Sequence, residues 1–345
     1  MLGGKKGLLG IDIGTSSLKI ALVERRGKAM VVKELWEKEF PPDTIVEGEI
    51  MDRETVIQFV QEFLEEKKPK TRDVSTFLPA NKGVILKRIK IEKMPLEEAK
   101  ESIKWNADQY IPYDPSEVSL DVAIVNPNAG ENEMEAILIA ARSDVLTEYI
   151  SLLKEANLNP VIIDMSILAL HNVYEINYME KMKEEIVALI HIGKNFTHVI
   201  YTGKTGPIVY RDISLGTKDL IRIIQDRYGV TSAEAEKIII GKEEKSLGEF
   251  KETCNSFSEL VSSEIVKSFA YLPLKEKPDR IILSGGGSVV PEIEKIIEEK
   301  TAVPSEKMNV FNKIDIDEKL LAFGNIDKYN SLFPLAIGLS MRGVI

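Results

Sequence analysis

The sequence carries one short device twice, and this repeat limits the possible folds more than any other feature. Residues 8–14, Leu-Leu-Gly-Ile-Asp-Ile-Gly, alternate as a strand does, with Gly10, Asp12 and Gly14 on one face. Thr15-Ser16-Ser17 then makes a tight polar turn, and residues 18–23 read as the returning strand of a hairpin. Residues 186–201, Ile-Val-Ala-Leu-Ile-His-Ile-Gly-Lys-Asn-Phe-Thr-His-Val-Ile-Tyr, replay the same strand, glycine, polar turn and strand. Two copies of one hairpin predict two similar lobes, each offering a turn to a shared cleft. A third glycine element comes late, with a strand over 280–283, the loop Ser284-Gly285-Gly286-Gly287-Ser288 and a helix over 291–300. The expected fold class is therefore α/β and duplicated.

Between the two hairpins the pattern changes. A third strand over 31–40, a helix over 55–66 and a buried strand over 74–78 complete the first unit. From 79 to 158 the chain reads as strand 84–91, helix 96–109, strands 120–125 and 135–141, and helix 144–156. The prolines of Tyr110-Ile111-Pro112-Tyr113-Asp114-Pro115 break the first helix. This is expected to be a small inserted subdomain, with Trp105 in its own core and apolar surface left over for a peptide groove. Residues 217–272 are mostly helical.

The glycine elements have phosphate-binding chemistry. Gly14 lets the backbone approach a ligand, the turn at Thr15, Ser16 and Ser17 supplies amides and hydroxyls, and Lys19 follows in the same motif. Asp12 can hold magnesium directly or through water. In the second copy Gly193, Asn195 and Thr197 can cradle phosphate, but His191 stands where Asp12 stands in the first. A neutral imidazole is a poor substitute for a carboxylate as a magnesium ligand, so His191 is read as a core-edge histidine. Gly285, Gly286, Gly287 and Ser288 lie between strand and helix, where amides and a helix N-terminus can meet a nucleotide. Gly203-Lys204-Thr205 ends like a Walker A motif, but residue 198 is His where its leading glycine belongs, so a turn is expected.

Composition removes several function classes. A net charge of −10 gives no basis for broad nucleic-acid binding. Cys254 is the single cysteine and the 3 histidines lack metal-ligand spacing, so neither a disulfide nor a zinc site is expected. No signal peptide, transmembrane run or terminal amphipathic helix is recognisable, so no direct membrane insertion is expected.

In this order the three glycine elements resemble those of the actin/Hsp70/sugar-kinase superfamily. Within it the chain resembles the PilM family of type IV pilus assembly, on the FtsA-like branch. The resemblance rests on Gly-Ile-Asp-Ile-Gly-Thr-Ser-Ser, Tyr110–Pro115, Ile163-Asp164, Leu215-Gly216 and Ala233-Glu234-Ala235-Glu236-Lys237. It implies a duplicated actin-like (ribonuclease-H-like) two-lobe fold with an FtsA-type inserted 1C subdomain. The implied partition gives a first lobe core (8–78, 159–185, 325–345), the insertion (79–158), a second lobe core (186–215, 279–324) and a helical subdomain (216–278). It also implies ATP and Mg2+ between the lobes, with Glu234 and Lys237 near the nucleoside; without the resemblance these two are a solvated pair. Asp164 is then the remaining candidate for a catalytic carboxylate, and hydrolysis is expected to be slow or absent.

The partner implied is the cytoplasmic N-terminal peptide of a PilN-like inner-membrane protein, with self-association also open. An FtsA-like division protein and a small-molecule kinase are the alternatives. The first is disfavoured by the missing terminal membrane helix, the second by the lack of a recognisable carboxylate base.

Overall fold

The computed structural model describes residues 7–178, 180, 184–239, 247–273, 276–323 and 325–345. Parts of the expected partition (179 and 181–183, 240–246, 274–275, 324) lie outside the described residues, as do residues 1–6, on which the signal-peptide reading rests.

The chain opens with β1 (Leu9–Ile13) and β2 (Ser17–Arg26), an antiparallel hairpin, and continues into β3 (Ala29–Glu39) and a minor hairpin of β4 (Ile45–Val46) and β5 (Glu49–Ile50). Helix α1 (Arg53–Lys67) starts where Asp52 accepts the Thr55 amide, and buries Val56, Phe59, Val60, Phe63 and Leu64 along one stripe. Strand β6 (Asp73–Leu78) pairs parallel with β1. The chain then departs into β7 (Val84–Glu92), α2 (Leu96–Trp105), β8 (Val118–Asn126) and β9 (Glu133–Arg142), a three-stranded sheet ordered β7-β9-β8. It returns through α3 (Ser143–Glu155), β10 (Asn159–Met165) and α4 (Ser166–Asn177).

The second half repeats the plan with β11 (Val187–Ile192), β12 (Thr197–Gly203), β13 (Gly206–Ile213), helices α5 (Thr217–Tyr228), α6 (Ser232–Ile239) and α7 (Leu247–Ser268), then β14 (Arg280–Ser284), α8 (Ile293–Thr301) and β15 (Ser305–Lys307). Strand β16 (Ile314–Ile316) and helices α9 (Glu318–Phe323), α10 (Ile326–Leu332) and α11 (Pro334–Met341) close the chain. The duplication is visible in the topology. One sheet runs β3-β2-β1-β6-β10 and the other β13-β12-β11-β14-β15, with matching antiparallel and parallel pairings.

Helix α11 is buried throughout and lies against β1 and α4. Two glycines permit that approach: a Cβ on Gly10 would stand 2.0 Å from the Ala336 carbonyl, and one on Gly338 2.0 Å from that of Ala169. On the Gly10 face of β1, then, one end is sealed by α11, while Asp12 and Gly14 further along face a cleft.

Three placements differ from the sequence reading. Helix α3, assigned to the insertion at 79–158, sends Tyr149, Leu152 and Leu153 into the first lobe's core. The separate core of the insertion is built from Ile89, Ile103, Val118, Val122 and Leu138 of β7, α2, β8 and β9. Strand β16, assigned to the second lobe at 279–324, pairs with β3 and extends the first sheet. Trp105 is 86% exposed, because α2 turns its Ala99 and Ile103 face inward and leaves its last residue outside. The insertion is also braced against the second lobe, where Arg88 donates to the Pro207 carbonyl at 2.7 Å and the Thr205 hydroxyl at 2.7 Å. Gly203-Lys204-Thr205 is a strand-to-strand turn, as expected.

Candidate functional site

The two hairpins close with the same bond. Gly14 N–H donates to the Ser17 carbonyl at 3.1 Å, and Gly193 N–H to that of Phe196 at 2.9 Å. Superposing the turns by this bond makes Asp12 equivalent to His191 and Lys19 to His198, and both pairs are in cross-strand register. The register extends one strand further on each side. The first sheet presents the row Asp12–Lys19–Glu37, and the second presents His191–His198–Asp212. The whole first row and His191 and His198 of the second border one cleft of about 430 Å³, reached at its edges by Glu236 and Lys237 of α6 and by Gly285 and Gly286 after β14.

Of the residues proposed from sequence, Asp12, Gly14, Thr15, Ser16, Ser17, Lys19, Gly193, Asn195, Lys237, Gly285 and Gly286 line this cleft. Five others are directed elsewhere. Thr197 is equivalent to Leu18; strand alternation turns both inward, and the Thr197 hydroxyl donates to the Leu215 carbonyl at 2.8 Å. Ser288 is buried with its hydroxyl on the Gly285 carbonyl at 2.7 Å. Gly287 packs against β11, where a Cβ would come within 2.1 Å of the Ile192 side chain. Glu234 caps its own helix by accepting from the Thr231 amide and hydroxyl, each at 2.8 Å. Asp164 is nearly buried beside Arg342, whose Nε stands 3.2 Å from Oδ2 without the alignment of a hydrogen bond.

The sequence reading missed Glu37, Ser166, Lys194 and Glu236, all of which line the cleft. Lys194 lies between the motif residues Gly193 and Asn195, and Glu236 between Glu234 and Lys237, so adjacency was a usable signal for both. The Lys194 ammonium meets the Glu236 carboxylate at 3.0 Å, joining the second turn to α6. No local signal marks Glu37, which reaches the cleft only through its register with Lys19.

The electrostatics of the two rows differ. Asp12 is 4% exposed, and burial pushes its carboxyl above the usual range, against the pull of Lys19 at 3.9 Å. For Glu37, burial alone would raise the pKa. Lys19, Lys328 and the Ser17 hydroxyl outweigh it and hold the group below the usual range. His191 accepts from or donates to the Ser284 hydroxyl at 3.1 Å, and burial lowers its pKa to about 3, helped by His198 and Lys19. His171 in α4 is pushed by burial to about 4, and its Nε2 has no partner among the described residues.

The unfolded chain takes up protons on these two imidazoles near pH 6.5, while the folded chain refuses them until pH is far lower. Their contribution is thus complete above pH 6.5 and is lost as pH falls below it. The urea midpoint is expected to drop between pH 7 and pH 5, and His171→Gln should flatten that slope by up to about 1.4 kcal/mol per pH unit. An unchanged slope in the variant would contradict the assignment.

The family described as type IV pilus assembly protein PilM matches residues 10–344. Among solved structures, the chain is similar to the PilM-PilN type IV pilus biogenesis complex, at TM-score 0.85 and 26% identity, covering 99% of this chain and 99% of that one. It is also similar to the ethanolamine utilization protein EutJ of Carboxydothermus hydrogenoformans, at TM-score 0.60 and 13% identity over 97% of this chain and 89% of that one. MreB5 of Spiroplasma citri bound to ADP gives TM-score 0.51 and 13% identity over 88% and 91%. The last two share the fold alone. The duplicated two-lobe α/β architecture is the actin-like one.

Proposed function

The chain belongs to the type IV pilus assembly protein PilM family, and we propose that it works as a nucleotide-loaded cytoplasmic adaptor that holds a membrane-anchored partner of the pilus machine. The observation that carries the nucleotide half is the meeting of both polar turns and the Gly285-Gly286 corner around one cleft. Gly14, Thr15, Ser16 and Ser17 would take one side of the phosphates with Lys19, and Gly193 and Asn195 the other. Lys237 and Gly286 would flank the nucleoside of ATP.

Asp12 fits a magnesium ion by its chemistry. It is a buried carboxylate, a hard oxygen donor, with a single ammonium 3.9 Å away to offset its charge. When bound, the ion would neutralise phosphate charge there. On the facing lobe the equivalent position offers His191, which stays uncharged at neutral pH and supplies no hard oxygen. Asp164, committed to Arg342 and off the cleft wall, does not fill that gap. Hydrolysis is accordingly slow or absent in this reading, and nucleotide acts as a structural cofactor. Phosphate release over hours should stay near background, and His191→Asp should raise it. Brisk turnover by the unmodified chain would overturn this half of the proposal.

The partner we propose is the cytoplasmic N-terminal peptide of a PilN-like inner-membrane protein. The similar complex pairs PilM with PilN. Among the described residues no helix is long and apolar enough to cross a membrane, so an anchored partner would bring the chain to the inner membrane. Two strand edges support a docking groove beside the insertion: β8 ends the inserted sheet and β10 ends the first sheet. The Asp121 charge on β8 is near enough to raise the Asp164 carboxyl on β10, after the larger effect of burial. Val161 of β10 is 47% exposed, an apolar contact available to an extended peptide adding along an edge.

A further inference from the structure

The cleft is short of positive charge for a site that takes a polyanion. Among the described residues lining it, four are carboxylates (Asp12, Glu37, Glu39 and Glu236) and three are ammonium groups (Lys19, Lys194 and Lys237). Lys194 and Glu236 answer each other at 3.0 Å. That leaves Lys19 and Lys237 against three acids, before any phosphate arrives. Lys19 itself stands in register between Asp12 on one strand and Glu37 on the other, so its charge is already shared. A nucleotide without a cation would meet this arrangement at a loss.

We propose that Glu37 makes the cleft selective for the magnesium complex of a nucleotide over the free nucleotide. The proposal rests on the nucleotide reading of the cleft and adds a residue to it. Glu37 is suited to the task by position and not by ligation. Its side chain is 15% exposed, so its charge acts within the cleft with little solvent screening. It is held in place from two directions, by the Ser17 hydroxyl at 3.2 Å and by the Lys328 ammonium at 2.7 Å. Lys328 is 50% exposed and lies off the cleft wall, so it offsets the Glu37 charge from behind and only in part for a phosphate within the cleft. Glu37 thus repels uncompensated phosphate beside the turn that would hold it. A divalent cation bound with the nucleotide removes that repulsion.

The test is the ratio of two dissociation constants for ATP, one measured with excess EDTA and one with excess magnesium, at fixed ionic strength. In the wild type the ratio should be large. Glu37→Gln keeps an oxygen for the Ser17 hydroxyl and removes the charge. It should tighten binding in EDTA and lower the ratio by at least about tenfold, the effect of one unit charge within roughly 12 Å of phosphate at an effective dielectric near 20. Binding with magnesium should change less than about twofold, because the cation already offsets that repulsion. Lys328→Gln, which removes the ammonium behind Glu37 and leaves the charges of the cleft wall intact, should keep a ratio at least as large as that of the wild type. Should Glu37→Gln not yield folded protein, Glu37→Leu removes the same charge in a similar volume and serves the same comparison.

A Glu37 variant that weakens both constants equally has lost structure, not selectivity, and overturns the proposal. So does one with an unchanged ratio. A wild type that binds ATP in neither condition overturns the nucleotide reading together with this proposal, and is thereby distinguished from failure of the Glu37 role alone.

Discussion

Saturating ATP with magnesium should raise the melting temperature of this chain by several degrees, and Gly286→Trp should abolish the rise while leaving the unliganded melting temperature nearly unchanged. A ligand at 100 times its Kd that binds only the native state adds about 2.7 kcal/mol, a large share of the stability of an ordinary domain. Gly286 is the discriminating position of its loop. Gly285 has φ 85, and a Cβ there would lie 2.5 Å from the Ile192 carbonyl, so substitution strains the backbone. At Gly287 a Cβ would collide with the Ile192 side chain at 2.1 Å. At Gly286 it would meet the Leu332 side chain at 3.8 Å, ordinary contact, and a larger side chain would extend into the cleft. A fluorescence melt with and without nucleotide reads both proteins. A shift retained in Gly286→Trp would mean that nucleotide binds elsewhere, and no shift in the wild type would remove the nucleotide reading.

The repeated hairpin was legible because its information is local. Apolar alternation, a glycine and a polar turn define the strand pair, and the two copies give equivalent registers. Directions one strand away were not legible. Thr197 belongs to a polar motif by sequence, yet the period of two along β12 turns it inward. Glu37 carries no motif and enters the cleft because β3 happens to pair with β2 in the register that sets it opposite Lys19.

The same limit explains the misplaced boundary. The stripe of Tyr149, Leu152 and Leu153 announces an amphipathic helix, but a stripe does not say which of two neighbouring cores it will cover. Trp105 was judged by residue type, whereas its place at the end of α2 decides its exposure. Asp164 follows Ile163 in the motif that resembles the family, and its burial beside Arg342 depends on a helix from the far end of the chain.

The adaptor account has its largest expected effect on peptide affinity, and the fold supplies a clean way to test it. The inserted sheet leaves the first lobe at Gly83 and rejoins it at Arg142, whose N–H donates to the Gly83 carbonyl at 3.1 Å. Residues 84–141 can therefore be replaced by a short flexible linker without stretching the chain. What is removed has its own core around Ile103 and Leu138, while α3 stays to fill the first lobe. The excised chain loses the buried Val84 and the half-buried Leu86, Ile139 and Ala141 that pack on that lobe. It should still show the nucleotide-dependent melting shift, which certifies that the cleft and both lobes are folded. An extended peptide that orders on docking loses conformational entropy, and it needs preformed edges and pockets to offset that loss. The decisive measurement is a calorimetric titration of a synthetic peptide copying the membrane partner's cytoplasmic N-terminus into the full chain and into the excised chain. Saturable binding to the full chain, absent from an excised chain that still responds to nucleotide, is the predicted result; equal binding to both, or none to the full chain, would contradict the adaptor account.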